Sequence, residues 1–190
     1  LDLKQETSRT HKLYGLDNKT TESYGRRCMM ARRLVERGVR YVQIYINSQI
    51  WDNHGNLEGG LRSSCARTDL PIAGLLTDLK QRGMLDETLV IWGGEFGRLP
   101  ISQSKNGRDH NHRGFCMWMA GGGVKRGYIH GATDDFGYSA AADKVSVPQW
   151  HATVLHLLGL DHKKLVYNRN GLEDRLTGVR EPEIVKEILA

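Results

Sequence analysis

Asp52, His54, Glu95, His110 and His112 are the residues of this sequence whose types and spacing could do chemistry together. Asp52 and His54 stand two apart in "WDNHG", His110 and His112 two apart in "RDHNHRG", and Glu95 follows a glycine pair in "GGEFGR". In extended chain, residues i and i+2 project to one side, so each Asp/His or His/His pair would act as a two-pronged chelate. Carboxylate oxygens and imidazole nitrogens suit a divalent ion: zinc first, with manganese, iron or calcium as the alternatives. Neither pattern is specific alone, because a loop histidine is more often a surface or hydrogen-bonding group than a ligand. The metal reading rests on their convergence.

Arg98 and Arg113 flank these groups. A planar guanidinium suits phosphate or sulfate oxygens, which points to a small anionic ester as substrate. The competing reading pairs these arginines with Glu95 or Asp109. His151 and His156 fall in an amphipathic segment and read as packing or capping residues, and His11 carries no signal. No nucleophile elbow, phosphate loop or dinucleotide fingerprint is present.

The elements that must position the ligands follow from periodicity. Residues 20–37 read as a helix, with Tyr24, Cys28, Ala31 and Val35 on one apolar stripe and Gly38 as its stop. "RYVQIYI" (40–46), "ETLVIW" (87–92) and "FCMWMA" (115–120) read as strands. A helix at 67–82 starts close to Pro71 and ends at Gly83, and a last helix spans 148–159, with Trp150, Val154, Leu157 and Leu158 on a shared face. Strand, helix, strand over 40–92 predicts a βαβ unit, hence an α/β fold with a mostly parallel sheet sandwiched by helices. Ligands of such sheets gather beyond the carboxyl ends of the strands, where Asp52, His54 and Glu95 would lie.

Length and composition bound the rest. A chain of 190 residues with 39% hydrophobic and 26% charged residues is an ordinary single folded domain. No apolar run approaches the roughly 20 residues that cross a bilayer. The net charge of +5 concentrates in Arg26, Arg27, Arg32, Arg33, Arg37 and Arg40. Without interleaved aromatics this reads as a solvated helix face rather than a nucleic-acid surface. Cys28, Cys65 and Cys116 have no CxxC spacing and imply neither a disulfide framework nor a zinc–thiolate site. Oligomeric state is not legible.

Longer motifs carry a resemblance. "ARRLVERGVRYVQIY…WDNHGN", "LLTDLKQRGMLDETLVIWGGEFGR", "GRDHNHRGFCMWMAGGGVKRGYIHGATDDFG", "HATVLHLLGLDH" and "YNRNGLEDRLTG" follow in order. The series resembles the C-terminal half of the domain-of-unknown-function 1501 family, itself similar to the alkaline phosphatase and sulfatase superfamily. That resemblance implies an alkaline phosphatase-like α/β/α sandwich of which residues 1–190 form the C-terminal portion. It further implies metal-assisted hydrolysis of phosphate or sulfate esters, and export to the periplasm or beyond. Asp52 with His54 takes the place of one metal's ligands, completed by His110 or His112. Glu95 and Phe96 stand where the superfamily has an Asp and a His of the second metal, and phenylalanine cannot ligate. The superfamily's catalytic nucleophile would lie outside this chain. The other function the residues allow is a non-catalytic binding or scaffold protein that keeps the fold around a degraded site.

Overall fold

The structure, a computed structural model, describes residues 2–179 and 181–190. It divides into two compact units, 1–88 with 98–110, and 89–97 with 111–190.

The first unit is helical: α1 (Ser8–Leu13), α2 (Glu22–Glu36) and α3 (Leu57–Gln81). Thr7 caps α1 by accepting from the Thr10 N–H. α2 and α3 pack together, with Cys28, Met29 and Ala31 of α2 and Leu75 and Leu79 of α3 buried. Tyr14, fully buried, donates its hydroxyl to Asp78 of α3 at 2.9 Å. Burial and the neighbouring Asp78 carboxylate push the tyrosine pKa well above its ordinary value. Burial likewise pushes the Cys28 thiol up to about 12, so this cysteine is an inert core residue. All three cysteines are free.

The arginine-rich stretch does not lie wholly on a solvated face. Arg32 and Arg33 are buried on the inner side of α2. Arg32 meets three carboxylates, Glu6, Glu36 and Asp78, each at 2.8 Å, and Arg82 closes on Asp78 at 2.7 Å. Arginine's fork can serve several acceptors at once, which is why a charged side chain fits among the helices.

Among the described residues, the expected parallel sheet is absent. Residues 40–46 form no strand. They keep the alternation of one, with Val42, Ile44 and Ile46 half-buried and Tyr41, Gln43 and Tyr45 exposed. However, no ladder closes on this main chain, and the Arg27 guanidinium takes the Tyr45 carbonyl instead. Among the described residues, strands pair only in twos. Val90–Trp92 runs antiparallel to Trp118–Ala120, with Trp92 and Trp118 stacked at 6.4 Å between ring centres. The α/β sandwich with a mostly parallel sheet, and the βαβ unit within it, are therefore corrected: short strands answer one another antiparallel, and no crossover links 40–46 to 90–92. The helix expected from 67 begins ten residues earlier, which places Pro71 inside α3 rather than in its first turn.

The second unit adds antiparallel pairs at Ala132–Thr133 with Ala140–Ala142 and at Tyr167–Arg169 with Leu172–Asp174, and the helix α4 (Val147–Leu157). Ser146 and Gln149 form a reciprocal capping box at its start. The buried face of α4 is Ala152, Thr153 and Leu155, while Leu158 is exposed. Among the described residues, no helix is long and apolar enough to cross a membrane.

A turn in this unit gives a pH-dependent expectation. The Asp134 carboxylate accepts from the N–H groups of Phe136 at 3.1 Å, Tyr138 at 2.9 Å and Ser139 at 2.9 Å. These backbone donors, Tyr138 first, hold its pKa below the usual carboxylate value. A depressed folded pKa means that the turn's support is complete above the unfolded value of about 3.9 and fades as pH falls through the folded one. The protection of the amides at 136, 138 and 139, taken relative to intrinsic exchange at each pH, should fall in acid ahead of that of the other amides of this unit, and Asp134→Ala should show the low protection already at neutral pH. Unchanged protection in that variant would refute the assignment.

Candidate metal centre

The first unit holds the converging ligands. Two loops carry them: 49–56, leading into α3, and 99–109, leading to His110. The Leu57 N–H donates to the Asn106 carbonyl at 2.8 Å and the Arg108 N–H to the Asn53 carbonyl at 3.0 Å. Gly107 lies against the His54 backbone so closely that a Cβ there would stand 1.8 Å from the His54 carbonyl oxygen. Only glycine permits that approach. The second loop is closed on itself, with the Leu99 N–H donating to the Asp109 carbonyl at 2.8 Å and the Asp109 N–H to the Ile101 carbonyl at 3.3 Å.

These ties place three ligand atoms at the corners of a near-equilateral triangle. Asp52 Oδ1 is 3.1 Å from His54 Nε2 and 3.1 Å from His110 Nε2, and the two Nε2 atoms are 3.1 Å apart. With bonds of roughly 2.0–2.1 Å, neighbouring ligands of a tetrahedral zinc stand about 3.3 Å apart and those of an octahedral ion about 3.0 Å apart. The triangle has the dimensions of one face of a coordination polyhedron. The residues present fit a divalent ion, and the donor set is two imidazoles and one carboxylate. Hydrogen bonding alone satisfies the triangle poorly, since a neutral imidazole offers one N–H and a carboxylate none.

The surroundings are polar and open. Both histidine side chains are 47% exposed and Asp52 28%. Arg98 Nη1 lies 2.6 Å from Asp52 Oδ1. That contact, with His110 second, holds the Asp52 carboxyl below its usual range. Asp109 approaches from the far side of His54, its Oδ1 at 3.3 Å from Nδ1. The Gln103 N–H, donating to Asp109 Oδ2 at 2.8 Å, is the main cause of that carboxyl's lowered pKa, with His54 contributing.

Of the ligands expected from sequence, Asp52, His54 and His110 come together, and Arg98 joins them through Asp52. Glu95, His112 and Arg113 are exposed residues of the second unit and are not in the three-residue group. Asp52 and His54 do approach each other, but on a turned rather than an extended backbone, with the His54 N–H donating to the Asp52 carbonyl at 3.2 Å, and the chain bends again at His112. Asn111 is buried, and its Oδ1 accepts the Arg113 N–H at 3.0 Å, an Asx turn that redirects the backbone after His110. Asp109 reads from sequence only as an ion-pair partner for the arginines, and its one signal of a place at the site is that it adjoins His110.

No curated protein and no solved structure matches the chain. The sequence model of one family, Protein of unknown function (DUF1501), matches residues 1–189, and the chain therefore belongs to that family.

Proposed function

We propose that the protein is a divalent-metal-dependent hydrolase of phosphate or sulfate esters, with Asp52, His54 and His110 as the metal ligands. The observation that carries this reading is the 3.1 Å triangle of ligand atoms. A divalent ion held there would act as a Lewis acid toward an ester oxygen. Three protein ligands leave further coordination positions open, as catalytic rather than structural sites do. Arg98, beside Asp52, is the guanidinium nearest to hand for the anion's oxygens. The ester class comes from the resemblance of the motifs to the alkaline phosphatase and sulfatase superfamily, and zinc is the first ion to try.

One observation favours a second reading, a metal-binding scaffold without turnover: Phe96 follows Glu95 where that resemblance has a ligating histidine. The experiment loads the protein with zinc or manganese and follows release of nitrophenol from an aryl phosphate and an aryl sulfate. Hydrolysis that needs the metal and disappears in Asp52→Ala supports the hydrolase. A metal-loaded protein inert toward both esters supports the scaffold.

A further inference from the structure

Asp109 is not in the group of three converging ligands, yet it is placed to decide whether His54 can ligate. The two nitrogens of His54 face different neighbours: Nε2 points to Asp52 Oδ1 and His110 Nε2, and Nδ1 to Asp109 Oδ1 at 3.3 Å. A carboxylate only accepts. Asp52 Oδ1 also lies 3.1 Å from Nε2, but at ion-pair distance only, while the hydrogen-bonded neighbour of Nε2 is His110 Nε2. A proton on Nδ1 serves Asp109 through the ring's one hydrogen bond to a carboxylate and leaves the Nε2 lone pair turned to the centre of the triangle. The carboxylate is itself immobilised at both ends. Its Oδ2 accepts from Gln103 N–H at 2.8 Å, and its backbone is bonded to Leu99 and Ile101.

We propose that Asp109 is the positioning residue of the metal centre, fixing His54 in the Nδ1–H tautomer and orienting its ring so that Nε2 is presented to a divalent ion. The proposal rests on the metal reading above and deepens it. Carboxylates that orient a metal-bound imidazole from behind also raise its basicity, and their loss typically weakens metal binding about 10–100-fold. Asp109 does this through the 99–109 loop, so the same loop that delivers His110 from its end also sets the tautomer of His54 from its side.

The test has two readouts. In the metal-free protein with 15N-labelled histidine, at about pH 8 where an ordinary imidazole is neutral, long-range 1H–15N correlation reports which His54 nitrogen carries the proton. The expected result is Nδ1–H in the wild type and loss of that preference in Asp109→Ala. Zinc titration then compares affinities, with Asp109→Ala about 10–100-fold weaker than wild type. Asp109→Asn, whose amide oxygen still accepts from Nδ1–H, should recover the tautomer and part of the affinity. A purely structural role would leave the tautomer unmoved in Asp109→Ala and would give no such recovery. An Nε2–H tautomer in the wild type, or equal zinc affinity in wild type and Asp109→Ala, overturns the proposal. A wild-type protein that binds no zinc overturns the metal reading as well, and the tautomer spectrum distinguishes that failure from the first.

Discussion

Arg32→Met should destabilise the protein by about 3–5 kcal/mol, the cost of removing one partner from a buried ion-pair set. The Arg32 side chain is fully buried, and its three ion-pair contacts at 2.8 Å reach Glu6 ahead of α1, Glu36 on α2 and Asp78 on α3. Methionine fills much of the volume but leaves the Asp78 carboxylate, 7% exposed, short of a cation. Arg82 at 2.7 Å and the Tyr14 hydroxyl at 2.9 Å still serve Asp78, which places the loss toward the lower end of the range. Arg32→Lys should lose a large part as well, because an ammonium on a flexible stem cannot span three carboxylates in fork geometry. The contrast is Arg26→Ala on the same helix. Its pair with Glu22 is an exposed i, i+4 contact, 53% and 41% exposed, and such pairs contribute about 0.3–0.5 kcal/mol. Urea unfolding at constant slope measures both. A loss under about 1 kcal/mol for Arg32→Met would mean that the remaining cations compensate fully.

Arg32 also shows where the sequence stops being legible. The stripe Tyr24, Cys28, Ala31, Val35 identifies the inner face of α2, and Arg32, one turn beyond Cys28, lies on that face by the same geometry. Within the helix only Glu36, at i+4, offers a partner; the other two carboxylates, Glu6 and Asp78, are far away in sequence. Helix ends were legible for a local reason: Gly38, Gly83 and Gly159 follow α2, α3 and α4 with φ of 84°, 69° and 75°, the left-handed turn that glycine adopts without penalty. The beginning of α3 was not, because "LEGGLRSSCA" has little apolar periodicity. That segment is held by tertiary contact, with the Ser64 hydroxyl donating to the Ile50 carbonyl at 2.6 Å. The strand at 40–46 failed for the converse reason. Its alternation is real and is expressed in burial, but strand formation requires a partner's main chain, and a propensity pattern does not contain one.

Within the candidate site, the same division holds. Asp52 and His54 are legible as a neighbouring pair because their spacing is short. His110 is legible only as one of two candidates, and it is the one found in the converging group. Arg98 reads as an anion holder or an ion-pair partner of Glu95 or Asp109, and the structure pairs it with Asp52, 46 positions earlier in the chain.

The largest functional effect is expected at that choice. His110→Ala should weaken zinc binding by more than about 100-fold, beyond the 10–100-fold typical of losing an outer partner, because a direct ligand is removed. His112→Ala and Glu95→Ala should leave the affinity nearly unchanged, since neither belongs to the converging group. The effect carries over to stability by linkage. At free zinc of about 1,000 times the wild-type dissociation constant, binding stabilises the folded state by about 4.1 kcal/mol. A 100-fold weaker variant retains only about 1.4 kcal/mol at the same zinc concentration, by the same relation. Unfolding with zinc and with a chelator should therefore differ strongly for the wild type, His112→Ala and Glu95→Ala, and far less for His110→Ala. Without metal, the His110→Ala and wild-type curves should nearly coincide, because the His110 side chain is 47% exposed and its removal opens no cavity. A zinc-dependent shift that survives His110→Ala and disappears in His112→Ala would move the metal centre to the other histidine and overturn the triangle as its basis.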